Sequence, residues 1–487
     1  MGNGLRAQVL ATLLPGFVGT DLPEWLAALL REGLGGVCLF GQNIVSRDQT
    51  AALTAAIVEA NPDAIVAIDE EGGDVTRLYY DRGAPYPGNA LLGRIGELAL
   101  TERTARAVGW QLREVGVNVA FAPDADINSN PDNPVIGVRS FGTDPVAVAD
   151  HTAAWAGALQ ATGVAACAKH FPGHGDTAQD SHLALPVVDR SLDELAAREL
   201  VPFRAAIEAG TELIMTSHIL LPQLDRAHPA TMSAPVLQGV LRDQLGFEGV
   251  IVSDALDMRG ASGELGIPTA AVRALAAGVD LLCIGTENTA GQLEGIVEAI
   301  TAAIASGALT RERVADAGGR TRALAGRLRA RAAKAVPPAC PVPEPHYDLD
   351  EIASGFDVSA RARAWIAAAG GQYEVVCVES PSSLAVGETP WGVFAAGVQP
   401  VAAVRPGDSF EPATRARTAH LVIVGRDLHR HPHARDVVDR ARASRGASVL
   451  AIDMGWPADD RAYADIATFG ASRLVGEALL RVLGGAA

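Results

Sequence analysis

Four of the chain's eleven histidines, His170, His174, His182 and His218, fall in two short stretches that also carry carboxylates, glycines and a lysine. The longer one reads Lys169-His170-Phe171-Pro172-Gly173-His174-Gly175-Asp176, followed by Asp180-Ser181-His182. Thr216-Ser217-His218 forms the second, and Asp69-Glu70-Glu71-Gly72-Gly73-Asp74, Pro123-Asp124-Ala125-Asp126 and Ser253-Asp254 add acidic groups. An imidazole titrates near neutral pH and can both give and take a proton, and a carboxylate can attack or stabilise an electron-poor carbon. Taken singly, each residue has a plain structural reading. Gly173 and Gly175 suit turns, Asp180 could cap a helix, and Asp69 and Asp254 could be satisfied by backbone donors. Gathered on one face, several charges of this kind point to a site. His170, His174, Asp176, Asp180 and His182 are also metal-ligand types. The His170 to His174 spacing imitates a helical zinc pair, but Pro172, Gly173 and Gly175 forbid the helix, so no metal is expected. A phosphate-binding loop fails as well, because no Gly-Lys-Ser/Thr follows the glycines. No cofactor is expected.

These residues need a frame, and the chain supplies one by alternation. Short apolar strands are expected at 9–14, 36–40, 64–68, 117–121, 164–168, 213–215, 250–252 and 281–284, with amphipathic helices such as 193–209 and 291–305 between or after them. Eight such units fit a (β/α)8 TIM-type barrel, an α/β fold whose chemistry sits at the carboxyl ends of the strands. The polar stretches fall at those ends, after the third to seventh strands. The barrel is expected to span 1–335. Five prolines between Val336 and Pro345 then mark an extended linker, 336–348. A smaller three-layer αβα sandwich domain, 349–487, is expected beyond it, with strands at 373–378, 392–396, 421–424 and 448–452 and a closing helix at 472–483.

Composition narrows the partners. The 487 residues are 48% apolar and 20% charged, which fits two well-packed domains, and the formal net charge of −17 argues against nucleic acid or an anionic membrane. A small neutral polar ligand such as a carbohydrate remains. Five cysteines (Cys38, Cys167, Cys283, Cys340 and Cys377) lack disulfide or metal-ligand spacing and read as thiols of a reducing compartment. Met1-Gly2-Asn3-Gly4-Leu5-Arg6 lacks signal-peptide and myristoylation patterns, and no apolar run is of membrane-spanning length, so a cytoplasmic location is expected.

The segment from Lys169 to Thr177, with Asp180-Ser181-His182 and Leu185-Pro186, resembles the signature of the β-N-acetylglucosaminidase (β-N-acetylhexosaminidase) branch of glycoside hydrolase family 3. Asp69-Glu70-Glu71-Gly72-Gly73 with Arg77 resembles that family's sugar-binding loop. Ile136-Gly137-Val138-Arg139-Ser140-Phe141-Gly142 resembles a second element, and Gly246 to Met258 the segment bearing the nucleophile. The resemblance implies Asp254 as nucleophile, His182 as acid/base and Asp180 as the group orienting its imidazole. It also implies that Asp69, Arg77, Arg139, Lys169 and His170 hold the sugar. Asp74 departs from the pattern, where close relatives commonly have Arg. The implied activity is retaining, exo-acting removal of terminal GlcNAc from chitooligosaccharides or cell-wall fragments, through a glycosyl-Asp254 intermediate. Two alternatives stand beside it: a phosphorylase with inorganic phosphate as acceptor, and a non-catalytic sugar-binding protein. A cluster in the second domain, His429-Arg430-His431-Pro432-His433, reads as a solvated loop.

Overall fold

Residues 3–179, 185–263, 265–411 and 420–484 are described in the computed structural model of the chain. They form two compact units. The first comprises Met1–Glu71, Leu98–Ile136 and Thr143–Pro343, and the second Gly72–Glu97, Gly137–Gly142 and Glu344–Ala487. Two segments from the N-terminal half of the sequence therefore belong to the second unit.

In the first unit, strands β1 (Leu13–Pro15), β2 (Gly36–Leu39), β3 (Ile65–Ile68), β4 (Val119–Ala120), β5 (Ala165–Phe171) and β6 (Leu213–Thr216) alternate with helices. A hairpin, β7 (Leu220–Leu221) with β8 (Asp225–Pro229), precedes β9 (Val250–Val252) and β10 (Leu282–Gly285). Parallel pairing runs β2-β3-β4-β5-β6-β9, a second parallel pair joins β1 to β10, and a parallel bridge from Val252 to Leu281 links the two sets. Hairpin apart, these are the eight strands of a TIM-type barrel. Side chains alternate across each strand. Ile65 and Ala67, Ala165 and Cys167, Leu213 and Met215, and Val250 and Val252 accordingly share one core cluster with Leu14, Cys38, Leu281 and Cys283. The other side of the strands is buried by helices such as Pro145–Gln160, where Asp144 accepts the Val146 and Ala147 amides as N-cap. Such a cap stabilises a helix by about 1 kcal/mol.

Two expectations for this unit need correction. The first strand does not begin at residue 9: a helix, Asn3–Leu10, ends there and the strand starts at Leu13. A continuous apolar run has no period that separates a buried helix from a buried strand. The expected helix at 193–209 is two helices, Leu192–Ala197 and Val201–Glu208. Pro202 has no amide to donate, so it stands in the first turn of a new helix rather than inside a long one.

The second unit is built on β11 (Asp357–Val358), β12 (Glu374–Val378), β13 (Ala402–Val404), β14 (Leu421–Gly425), β15 (Val449–Asp453) and β16 (Ile466–Ala467). Their order is β11-β16-β15-β14-β12-β13, parallel except for β11. Leu421 and Ile423 pack with Val437 and Val438 of the helix Pro432–Arg445. Val422 and Val424, which alternate with them, are equally buried. Both sheet faces are thus covered, as in an αβα sandwich. The expected strand at 392–396 is instead a short helix, Gly392–Ala395, in which the ring of Phe394 meets that of the preceding Trp391 edge to face at 4.9 Å. Among the described residues no helix is long and apolar enough to cross a membrane.

Candidate active site

The carboxyl ends of β3, β4 and β5 bring together a set of buried charges. Asp69, Glu70 and Glu71 follow β3, and Lys169 and His170 lie within β5, which runs on through Phe171. Lys169 is only 2% exposed, and its Nζ donates to Asp69 Oδ1 at 2.8 Å and lies 2.8 Å from Glu71 Oε1. Burial of an ammonium is tolerated when carboxylates surround it in this way. Asp69 keeps about a fifth of its side-chain surface open. The Lys169–His170 peptide bond is cis.

His170 is anchored from the β4 loop. Its Nδ1 lies 2.7 Å from Asp126 Oδ2, and the His174 amide donates to Asp126 Oδ1 at 2.6 Å. Burial pushes the Asp126 carboxyl up, but the charge and hydrogen bond of His170, together with His174, outweigh it and hold it below the usual range. Asp126 therefore remains a carboxylate that orients the His170 ring. His174 is pushed down to about 4, chiefly by burial, so it is neutral at ordinary pH, with Nδ1 2.8 Å from Thr177 Oγ1. Gly175 must be glycine: a Cβ there would lie 1.6 Å from the Ile127 carbonyl oxygen.

Asp254 follows β9 and is partly exposed, with Oδ1 accepting the Ala255 amide at 2.8 Å. His218, after β6, is buried, and its Nε2 donates to the Ala255 carbonyl at 3.0 Å while Nδ1 lies 2.8 Å from Thr231 Oγ1. It thereby ties the turn bearing Asp254 to the neighbouring strand. Asp69 after β3, Lys169 and His170 in the last part of β5, and Asp254 after β9 follow strands that run parallel, so all four stand at the carboxyl end of the barrel.

The expected sugar-holding residues divide between the two units. Asp69, Lys169 and His170 meet in the barrel, whereas Arg77 and Arg139 belong to the second unit. There Arg77 is buried and donates from Nη2 to the Ala385 carbonyl at 2.8 Å, and the Arg139 carbonyl accepts from Asn89 Nδ2 at 2.6 Å. Asp74 accepts the Ala471 amide at 2.8 Å. Asp180 and His182 lie outside the described residues. The metal-ligand reading of the His170 to His182 stretch finds no converging set in its described part, since Asp176 instead meets Arg190 and Arg198. Among the described residues, Asp124, Asp126 and His170 have donor atoms within 4.8 Å of one another, yet Asp126 is already bonded to His170 and His174.

Sequence reasoning passed over several contributors. Glu71 shares Lys169, Asp126 orients His170, and His218 braces the Asp254 turn. The Asp124-Ala125-Asp126 stretch at a strand end was the available signal for Asp126. Glu199, buried behind Gly173, has none, because its sequence context is that of an ordinary helix.

A parallel eight-stranded barrel with carboxylates, a buried lysine and oriented imidazoles at its carboxyl end defines a barrel-enzyme type of site. Comparison with known proteins makes this specific. Residues 19–324 match the Glycosyl hydrolase family 3 N terminal domain. A beta-hexosaminidase of Methylococcus capsulatus is 40% identical over 298 residues, covering 60% of this chain and 87% of that protein. Beta-hexosaminidase A of Pseudoalteromonas piscicida is 40% identical over 285 residues, or 54% of this chain; the chain spans about half of that longer relative (48%). The structure of a family 3 β-N-acetylglucosaminidase from Paenibacillus sp. FPU-7 superposes with a TM-score of 0.85 at 29% identity, covering 99% of this chain and 96% of the other. The Neisseria gonorrhoeae protein NagZ, solved with N-trifluoroacetyl-D-glucosamine, is 32% identical over 64% of this chain and 97% of its own, with a TM-score of 0.52. The chain belongs to glycosyl hydrolase family 3.

Proposed function

We propose that this chain is a retaining, exo-acting β-N-acetylhexosaminidase that removes terminal GlcNAc by double displacement. The observation that carries this reading is the buried Lys169, shared by Asp69 and Glu71 beside the Asp126-oriented His170, at the barrel end that also bears Asp254. Asp69, Lys169 and His170 offer an acceptor, a cation and an imidazole to the sugar hydroxyls. The family resemblance assigns a sugar-holding role to Arg77 and Arg139 as well. The Asp254 carboxylate attacks the anomeric carbon while His182 protonates the departing oxygen, with Asp180 stabilising the imidazolium. Water then attacks the glycosyl-aspartate, giving its proton back to His182 and releasing Asp254. A side chain held at the end of a rigid strand suits the nucleophile. The separate enzymic carboxylate favours this route over attack by the substrate's own acetamido oxygen.

Chitooligosaccharides and cell-wall fragments ending in GlcNAc are the substrate class. Five free thiols, four of them buried, fit a reducing compartment such as the cytoplasm. Functionally, we assign catalysis to the barrel, 1–335, and support of the arginine-bearing segments to the sandwich, 349–487, joined by the proline-rich stretch 336–348. The test is turnover of a p-nitrophenyl GlcNAc glycoside with and without phosphate, with the products identified. Free GlcNAc, at a rate indifferent to phosphate, is expected. N-acetylglucosamine phosphate as main product would replace hydrolysis by phosphorolysis, and sugar binding without turnover on any aryl hexosaminide would leave a non-catalytic protein.

A further inference from the structure

One aromatic ring stands among the charges at the mouth of the barrel. On β2 and β3, Cys38 pairs with Ala67, and both side chains belong to the core inside the barrel. Side chains two residues further along a strand point the same way. Phe40 and Asp69 therefore stand side by side one layer above the core, just past the last paired residues, Leu39 and Ile68. By the same alternation Lys169 stands above Cys167, and Asp254 above Val252. Phe40 packs against the core cluster yet is only partly buried, and Ala255 is the other partly buried apolar residue packed there. Ala255 directly follows Asp254 and donates its amide to Asp254 Oδ1 at 2.8 Å.

The ring is seated over bare backbone. Gly16 follows β1, and a Cβ there would lie 2.6 Å from Phe40 Cε2, 2.9 Å from Phe40 Cδ2 and 2.6 Å from the Gly285 carbonyl oxygen. A larger residue at position 16 would push the ring aside. The backbone beneath the ring is fixed as well. Phe40 donates its amide to Asn43 Oδ1 at 2.9 Å, and the Asn43 amide donates to the Phe40 carbonyl at 2.9 Å. Asn43 is fully buried, and its Nδ2 donates to the Phe17 and Gly19 carbonyls at 2.9 and 2.7 Å. A ring held in this way loses little freedom when a ligand covers it. A β-glucopyranoside with equatorial substituents is polar around its edge, while its axial C–H bonds make its faces apolar. Charged side chains suit the edge; a face calls for an apolar surface. We infer that Phe40, with Ala255, is the platform on which an apolar face of the N-acetylhexosamine ring lies, and that it selects a closed pyranose with equatorial substituents. This rests on the reading of the barrel mouth as a GlcNAc site. Such a contact is made before and during the reaction alike, so it acts on binding more than on kcat.

Phe40→Ala and Phe40→Leu are compared with the wild type in three ways: steady-state kinetics on a p-nitrophenyl GlcNAc glycoside, calorimetric titration with GlcNAc, and thermal unfolding. The platform predicts that Phe40→Ala raises KM and the GlcNAc Kd by about tenfold each, while kcat stays within about threefold. Phe40→Leu keeps apolar area but loses the flat ring, and should raise both constants by about threefold. If KM and Kd for Phe40→Ala stay within about twofold of wild type, the platform is refuted. A fall in kcat with KM unchanged refutes it too, because that is the mark of a ring that only props the neighbouring strand ends. Should Phe40→Ala unfold, Phe40→Leu decides the question by the same two constants. A wild type that binds GlcNAc without turning over the glycoside overturns the hydrolase reading and leaves Kd to decide the platform. A wild type that binds no GlcNAc removes both.

Discussion

Replacing Lys169 with Met is the sharpest perturbation of the barrel site. The ammonium lies 2.8 Å from both Asp69 and Glu71. At an effective dielectric constant of about 20, each contact amounts to about 6 kcal/mol of gross Coulomb attraction. Desolvation of the three groups offsets most of that, and the partial exposure of Asp69 lowers its share further. What remains after the substitution is Glu71, 3% exposed, deprived of this counter-charge. Removing one partner of a buried pair costs about 3–5 kcal/mol. Taking the lower end because Asp69 can turn to water, the expected loss is ~3 kcal/mol. At ~2 °C per kcal/mol for a large domain, Tm falls by ~6 °C. If Lys169 sets the Asp69 oxygens toward the sugar, as proposed, kcat/KM on an aryl GlcNAc glycoside should fall at least ~100-fold, or ~2.7 kcal/mol. The double variant Lys169→Met/Glu71→Gln should recover part of the stability but not the activity, since it no longer buries a carboxylate that has lost the Lys169 charge. Scanning calorimetry and steady-state kinetics on the three proteins decide the matter. A Tm within ~1 °C of wild type for Lys169→Met would refute the reasoning.

Two further perturbations follow from the same loops. Gly175→Ala places a methyl group 1.6 Å from the Ile127 carbonyl oxygen, and because the obstacle is backbone the loop must move; a loss of ~3 kcal/mol in urea unfolding is expected together with loss of activity. Glu199 and His174 pull stability in opposite directions with pH. Burial, opposed by Arg198, raises the Glu199 carboxyl to about 7, so its contribution is present below pH 4.5 and is lost as pH rises through 7. Burial lowers the His174 imidazole to about 4, so its contribution is present above pH 6.5 and is lost as pH falls through 4. Each amounts to ~3 kcal/mol and the two largely cancel between pH 4.5 and 6.5. Glu199→Gln should therefore unmask a fall in stability on acidification across that range, read by urea unfolding at several pH values; an unchanged pH profile would contradict the assignment.

Much of the barrel was legible because its strands are short apolar runs set off by glycine and helix, and seven of the eight expected segments coincide closely with observed strands. Where runs lacked a period, as at residues 9–14 and 392–396, pattern could not separate helix from strand. The break between Ala197 and Val201 depends on Pro202, a residue equally at home in the first turn of a helix. Strand-end position and residue type singled out Asp69, Lys169, His170 and Asp254 as polar residues at the carboxyl end of the barrel. Partnerships were not legible. Glu71 reaching Lys169, Asp126 reaching His170 and Glu199 lying behind Gly173 join residues 26 to 98 positions apart through the barrel's closure, which no local pattern encodes. Nor does local pattern show that Gly72–Glu97, bearing Arg77, folds with the second unit.

The nucleophilic role proposed for Asp254 is open to direct chemical test. Incubation with a fluorinated N-acetylglucosaminyl fluoride slows the second displacement and traps any covalent intermediate; proteolysis and tandem mass spectrometry then locate it. A single N-acetylglucosaminyl adduct on Asp254, absent from Asp254→Asn, is the expected result. An adduct on another carboxylate, or complete inactivation of turnover with no adduct anywhere, would contradict the double-displacement mechanism assigned to this barrel.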